Sequence, residues 1–264
     1  MTQMETVFPI VVNAKSAPAE ITSAGGSVSV TGKGGGTTTS KRNYGVEVFR
    51  GGIISSGSQG TVLVAGTGGP GSGENNYGVH VWGTSDAQQA ARITSADADV
   101  TVTGQGGGAG ASANNHGVYL SSGGVISSTS SGNVDVSGTG GNGSGDWNFG
   151  VFVENEDSTI TSTAGDINIS GQGGGTGASA RNHGVYVNQE GVIEAGSQGS
   201  VTIAGTGGHG SGDRNYGVIL ANTNSKITSV GGSITVTGQG GGSGTSKNNH
   251  GVDLQHSAQI FTGN

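Results

Sequence analysis

The sequence predicts an all-β fold: a parallel, right-handed β-helix, or β-solenoid, of about seven to eight coils. Each coil takes about 33 residues and three short strands, with Gly-rich loops stacked on one another. Three observations lead there. Asn, then an aromatic residue or His, then Gly-Val, occurs seven times, with its glycines at Gly45, Gly78, Gly117, Gly150, Gly184, Gly217 and Gly251. An isoleucine recurs in step at Ile21, Ile54, Ile93, Ile126, Ile160, Ile193, Ile227 and Ile260. From each of the first seven isoleucines to the next repeat glycine is 24 positions. A spacing held that constant through glycine-rich sequence points to a three-dimensional register.

The elements follow in chain order. Residues 1–20 read as an N-terminal strand, cap or inter-subunit segment, with "FPIVV" where the first strand of an initial coil would fall. Residues 21–264 read as one solenoid domain. Each coil holds a "GVYV" strand, a "VISS" or "KITS" strand and a "SITVTG" strand, alternating with period two between turn residues. The pattern points Val46, Val48, Ile54, Val62 and Val64 inward in one coil, and Val151, Val153, Ile160, Ile167 and Ile169 in another. One coil cannot bury its apolar face alone, so neighbours complete the core.

Two kinds of coil alternate. Loops of the "GTGG-x-GSG" type are one residue shorter than those of the "GQGGG-x-G" type, and a connection from the isoleucine to the next strand that is one residue longer preserves the interval of 24. The pair repeats every 67 residues, as His116, His183 and His250 show. Between Gly78 and Ile93 lie 15 positions where the same class elsewhere has 10, so residues 83–90 carry a five-residue insertion, expected to project as a loop.

Composition limits the function. Glycine supplies 58 of 264 residues, yet Val and Ile recur throughout, unlike a segment that cannot bury apolar surface. Ten Lys plus Arg and a net charge of -7 offer no basic stripe for nucleic acid or an anionic membrane surface. No apolar run reaches the roughly 20 residues of a spanning helix, and the N-terminus has neither the basic nor the long apolar region of a signal peptide. Without cysteine there is no disulfide framework. No cofactor, metal site or catalytic residue is expected.

Asn43, Asn76, Asn115, Asn148, Asn182, Asn215 and Asn249 precede the ring position and are expected to form a structural amide ladder. In the ring column three histidines are two coils apart, roughly 9.6 Å, too far to share a zinc whose ligands each lie about 2 Å away. The glycine run shares some spacing with calcium-binding nonapeptides, but it occurs once per coil and lacks their period. It is no phosphate loop either, since no Gly-Lys-Ser/Thr follows. Asp135 lies in the outward column of the third strand, Asp99 and Asp166 just before two such strands, and Asp135 and Asp166 could sit at the separation that glycoside hydrolysis requires, though no basic column accompanies them. Thr101/Thr103 and Thr235/Thr237 suit an ice-binding array that Leu63, Asp135 and Asn168 interrupt. The outward position of the first strand carries His80, Tyr119, Phe152, Tyr186 and Ile219, expected as an exposed stripe that either binds a partner or stabilises the sheet by stacking.

The "NxGVxV", "ITS" and "GxVxVxGxGG" units resemble those of bacterial surface proteins built from β-strand repeats, in the style of filamentous-haemagglutinin adhesins. That resemblance covers residues 21–264 and is one of pattern. It implies export to the cell surface or outside the cell, adhesive or scaffolding work, and a far longer chain. The resulting expectation is a non-enzymatic structural solenoid, either a stalk segment or a subunit stacking end to end, with a surface glycan or protein as a further partner. A carbohydrate-binding or polysaccharide-cleaving β-helix is the alternative.

Overall fold

The computed structural model describes residues 2–5, 10–13, 19–84 and 90–263. The chain winds as a parallel β-solenoid of about seven turns, each contributing one strand to each of three eight-stranded sheets. Sheet A collects the "SITVTG" strands from Val28–Lys33 to Ile234–Gln239 and adds Thr2–Glu5 at one edge. Sheet B collects the "GVYV" strands, from Ile10–Asn13 and Val46–Phe49 to Val252–Leu254. Sheet C runs from Glu20–Thr22 to Gln259–Thr262. Residues 10–13 of "FPIVV" and its successor thus pair with Val46–Phe49, whereas the pairing of Thr2–Glu5 with Val28–Lys33 is unannounced in the sequence.

Pairing is in strict register. Val62, Val64 and Gly66 oppose Val100, Val102 and Gly104, which oppose Val134, Val136 and Gly138. Because the side-chain period is two, this register sends one branched residue set inward throughout. One continuous core results, in which Val46, Val48, Ile54, Val64, Ile93, Val151, Ile160 and Ile193 have no exposure. The parallel sheets are covered on their inner face by each other.

Glycine shapes the corner between sheets A and B. A Cβ at Gly138 would fall on the Gly150 carbonyl, and one at Gly150 on the Gln172 amide of the next coil, so strand end and strand start cross backbone to backbone. In the loop beyond, a Cβ at Gly141 would fall on the Gly107 carbonyl of the preceding coil. Gly141 N–H donates to Asn115 O at 2.7 Å and Gly175 N–H to Gly141 O at 2.8 Å. The glycine runs are therefore hydrogen-bonded layers.

The same contacts explain why two coil types alternate. In one type a serine stands three residues before the ladder asparagine, at Ser40, Ser112, Ser179 and Ser246. A Cβ at Gly143 or Gly210 of the other type would collide with the Ser112 or Ser179 carbonyl of its neighbour. The longer loop spends its extra residue on a left-handed glycine, Gly108, Gly175 or Gly242, at φ of 86°, 81° and 86°. Each type leaves the space the other fills.

Of the 83–90 insertion, residues 85–89 lie outside the described residues.

Candidate functional site

The segment leading into each sheet B strand carries three parallel stacks of side chains. The first is the asparagine ladder. Asn115 Nδ2 donates to Asn148 Oδ1 at 2.9 Å, and Asn148 Nδ2 to Asn182 Oδ1 at 3.1 Å. Asn182 Nδ2 continues to Asn215 Oδ1 at 3.1 Å. Asn43 and Asn76 join in the same way at 2.7 and 3.2 Å. Each Oδ1 also accepts the backbone N–H of the asparagine one coil earlier, the Asn215 N–H reaching Asn249 at 2.8 Å. The second amide hydrogen goes to a loop carbonyl in one coil type, as from Asn148 to Gly145 at 2.6 Å, and to a serine in the other, as from Asn182 to Ser179 at 3.1 Å. Asn76, Asn115, Asn148, Asn182 and Asn215 are wholly buried, where such groups require partners.

The second stack is the ring column. Tyr44, Tyr77, His116, Phe149, His183, Tyr216 and His250 follow one another at centroid distances of 4.8 to 5.1 Å and interplanar angles of 3° to 21°. That spacing is set by the strand separation of the ladder. A phenyl or phenol ring separates successive histidines. His116 Nδ1 accepts the Phe149 N–H at 3.3 Å and His183 Nδ1 accepts the Tyr216 N–H at 3.2 Å, so both imidazoles are held neutral with the proton on Nε2. Burial pushes each down to about 3.

The third stack is the stripe, and here the expectation of exposure is corrected. His80, Phe152 and Ile219 are only 7%, 7% and 5% exposed, while Tyr119 and Tyr186 are half-buried. The ring three residues earlier in each coil lies across them edge-on: Tyr77 on His80, His116 on Tyr119, Phe149 on Phe152 and His183 on Tyr186, at 5.0 to 5.4 Å and 69° to 81°. His80, Tyr119, Phe152 and Tyr186 also stack face to face at 4.9 to 5.0 Å. Both offset and edge-on arrangements are favourable for aromatic quadrupoles. The two columns cover each other, so ring edges rather than faces meet solvent.

At its N-terminal end the stripe turns polar. Glu47 accepts the Trp82 indole N–H at 2.9 Å, and its carboxylate stands 3.8 Å from His80 Nδ1, beyond hydrogen-bond length. Burial raises the Glu47 carboxyl, but the His80 and Trp82 side chains outweigh that and leave it below its ordinary value. Burial lowers His80 against the pull of Glu47. Farther along, Glu154 accepts the Tyr119 hydroxyl, and burial raises it.

The acids considered for hydrolysis, and those of the glycine-run loops, accept hydrogen bonds from the next coil, all but Asp135 from its backbone. Asp99 accepts the Asn133 N–H and Asp166 the Ser200 N–H, both at 2.8 Å, while Asp135 accepts from the Asn168 amide at 2.9 Å. Asp146 and Asp213 of the "GSGD" loops take the Ala180 and Lys247 N–H groups at 2.8 Å. Each caps an amide of the next coil.

One column went unseen in the sequence. The residue before each ladder asparagine, Arg42, Asn75, Asn114, Trp147, Arg181, Arg214 or Asn248, is left-handed in every coil, with φ between 54° and 64°. Only its Asn members signal this conformation. Where the stripe ends at Ile219 and Asp253, a hollow of about 440 Å³ opens between Tyr186, Tyr216, Arg181, Arg214 and Gln255.

No protein-family model matches the chain, and neither the curated proteins nor the solved structures contain a match.

Proposed function

We propose that the chain is a non-enzymatic structural β-solenoid of an extracellular or cell-surface assembly, serving as a stalk segment or as a subunit that stacks head to tail. The observation carrying this reading is the continuity of the stacks. Amides, rings and strand ladders pass from coil to coil in one register, the amides from Asn43 to Asn249 and the rings from Tyr44 to His250. Each coil offers the next the same parallel edge and the same inward apolar set, which is a template for repeated pairing.

Negative-stain microscopy of the purified chain tests the reading. Filaments of constant width identify a stacking subunit. Single particles about 34 Å along the solenoid axis, seven strand spacings of about 4.8 Å, identify a stalk segment that does not stack by itself. Release of reducing ends from a panel of plant and bacterial polysaccharides would overturn the non-enzymatic reading.

A further inference from the structure

Trp147 is an indole left 39% exposed. It occupies the left-handed column at φ 60°, which Asn75, Asn114 and Asn248 fill in other coils. A bulky aromatic residue is poorly suited to that conformation, whereas Asn adopts it readily. Folding alone therefore does not select Trp at this position, and strain held in place by the surrounding structure points to function.

Its neighbours in the column are Arg181 and Arg214 on the next two coils. Trp147 N–H donates to Ala180 O at 3.2 Å, and Arg181 N–H to Asp213 O at 2.9 Å, which keeps the three residues in line at strand spacing. The Arg181 guanidinium lies 5.6 Å from the indole centroid. Among the described residues neither arginine makes a salt bridge. Two unpaired guanidiniums on adjacent coils stand out in a chain with ten basic residues and a net charge of -7.

Both arginines open onto the hollow of about 440 Å³, together with the Tyr186 and Tyr216 rings and the Asn248 and Gln255 amides. The hollow exists because the stripe loses its rings there: Ile219 and Asp253 follow Tyr186 in register. Asp253 does not make the floor repel anions outright, since its carboxylate is engaged by His250 Nδ1 at 2.8 Å and Gln255 Nε2 at 3.1 Å.

An indole 39% exposed suits the C–H face of a pyranose. Guanidinium forks suit planar oxyanions, and converging amides suit hydroxyls. We infer that Trp147, Arg181, Arg214 and the adjoining hollow form a binding site for an acidic saccharide, one whose sugar rings carry carboxylate or sulfate. The guanidiniums take the anionic group, the indole packs on a ring, and Asn248 and Gln255 meet hydroxyls.

Calorimetric titration of the whole chain tests it, using tetragalacturonate, a heparin-derived tetrasaccharide, maltotetraose and sodium sulfate as probes. One charged tetrasaccharide should bind roughly tenfold or more tightly than maltotetraose, as charge-assisted hydrogen bonds require; which one does so identifies the anionic group. Arg181→Gln and Arg214→Gln should each weaken that binding about tenfold with unchanged melting. Trp147→Asn should weaken it comparably while melting no lower than the parent chain. Failure of both charged tetrasaccharides to bind, equal binding of maltotetraose, saturation by sulfate alone at the same concentration, or indifference to either arginine substitution would overturn the inference.

Discussion

Replacing Asn148 with Ala tests whether the amide ladder stabilises the solenoid or merely lines its corner. The side chain donates to Gly145 O at 2.6 Å and Asn182 Oδ1 at 3.1 Å, and accepts from Asn115 N and Nδ2 at 3.1 and 2.9 Å. Truncation orphans two donors of Asn115, itself wholly buried. At about 1–3 kcal/mol for each buried group left without a partner, the loss is about 2–6 kcal/mol. Asn249→Ala provides the internal comparison. Asn249 is half-buried, its side chain bonds Asn215 N and Ser246 Oγ, and water can replace it, so the cost is about 1 kcal/mol. Urea unfolding followed by circular dichroism measures both. Because coil stabilities combine through nearest neighbours, Asn148→Ala should also broaden the transition or split it in two. A loss no larger than that of Asn249→Ala, with one sharp transition, would refute the structural assignment of the ladder.

Other outcomes follow from the same geometry. Asn148→Asp keeps the acceptor facing Asn115 but sets a buried carboxylate against the Gly145 and Asn182 oxygens; since burial raises its folded pKa, the damage should ease as pH falls from 7 towards 4 in denaturant titrations. Gly141→Ala places a Cβ on the Gly107 carbonyl and should cost about 4 kcal/mol or more, whereas Gly35→Ala meets open space and should change stability by less than about 1 kcal/mol. His116 and His183 are neutral when folded, at about 3, and take up protons near 6.5 when unfolded, so their stabilisation is complete above 6.5 and is lost as pH falls from there towards 3. Replacing both with Phe should flatten that acid limb in melting curves. It should also cost about 1–3 kcal/mol per site at pH 8, because the Phe149 and Tyr216 amides lose their acceptors.

What could be read from the sequence was whatever repeats with fixed spacing. The coil length, the three strands and the inward Val and Ile positions follow from alternation and the 24-residue interval, both of which act within one strand or one coil. The stripe was misjudged because alternation distinguishes inward from outward but does not say what lies over an outward side chain. Phe152 is covered by Phe149, brought back across it by the Gly150 corner, and a two-residue period has no term for that fold-back. The left-handed column stayed hidden because Arg42, Trp147, Arg181 and Arg214 mask a conformation that Asn or Gly would have signalled. Asp99 and Asp166 looked available for chemistry, and only the neighbouring coil shows which amides they cap.

The interlock of the two coil types constrains how this chain can change length. Removing residues 118–184 would excise one complete 67-residue pair and join Gly117 to Val185. His116 would then meet Tyr216 as His183 does now, and Tyr186 would take the place of Tyr119 above His80. Every loop would still face a loop of the opposite type. Excising a single coil instead would set two loops of the same type against each other, with serine opposing serine or glycine opposing glycine. Duplication and loss should therefore proceed in whole pairs, making the inheritable unit of this solenoid twice its visible repeat.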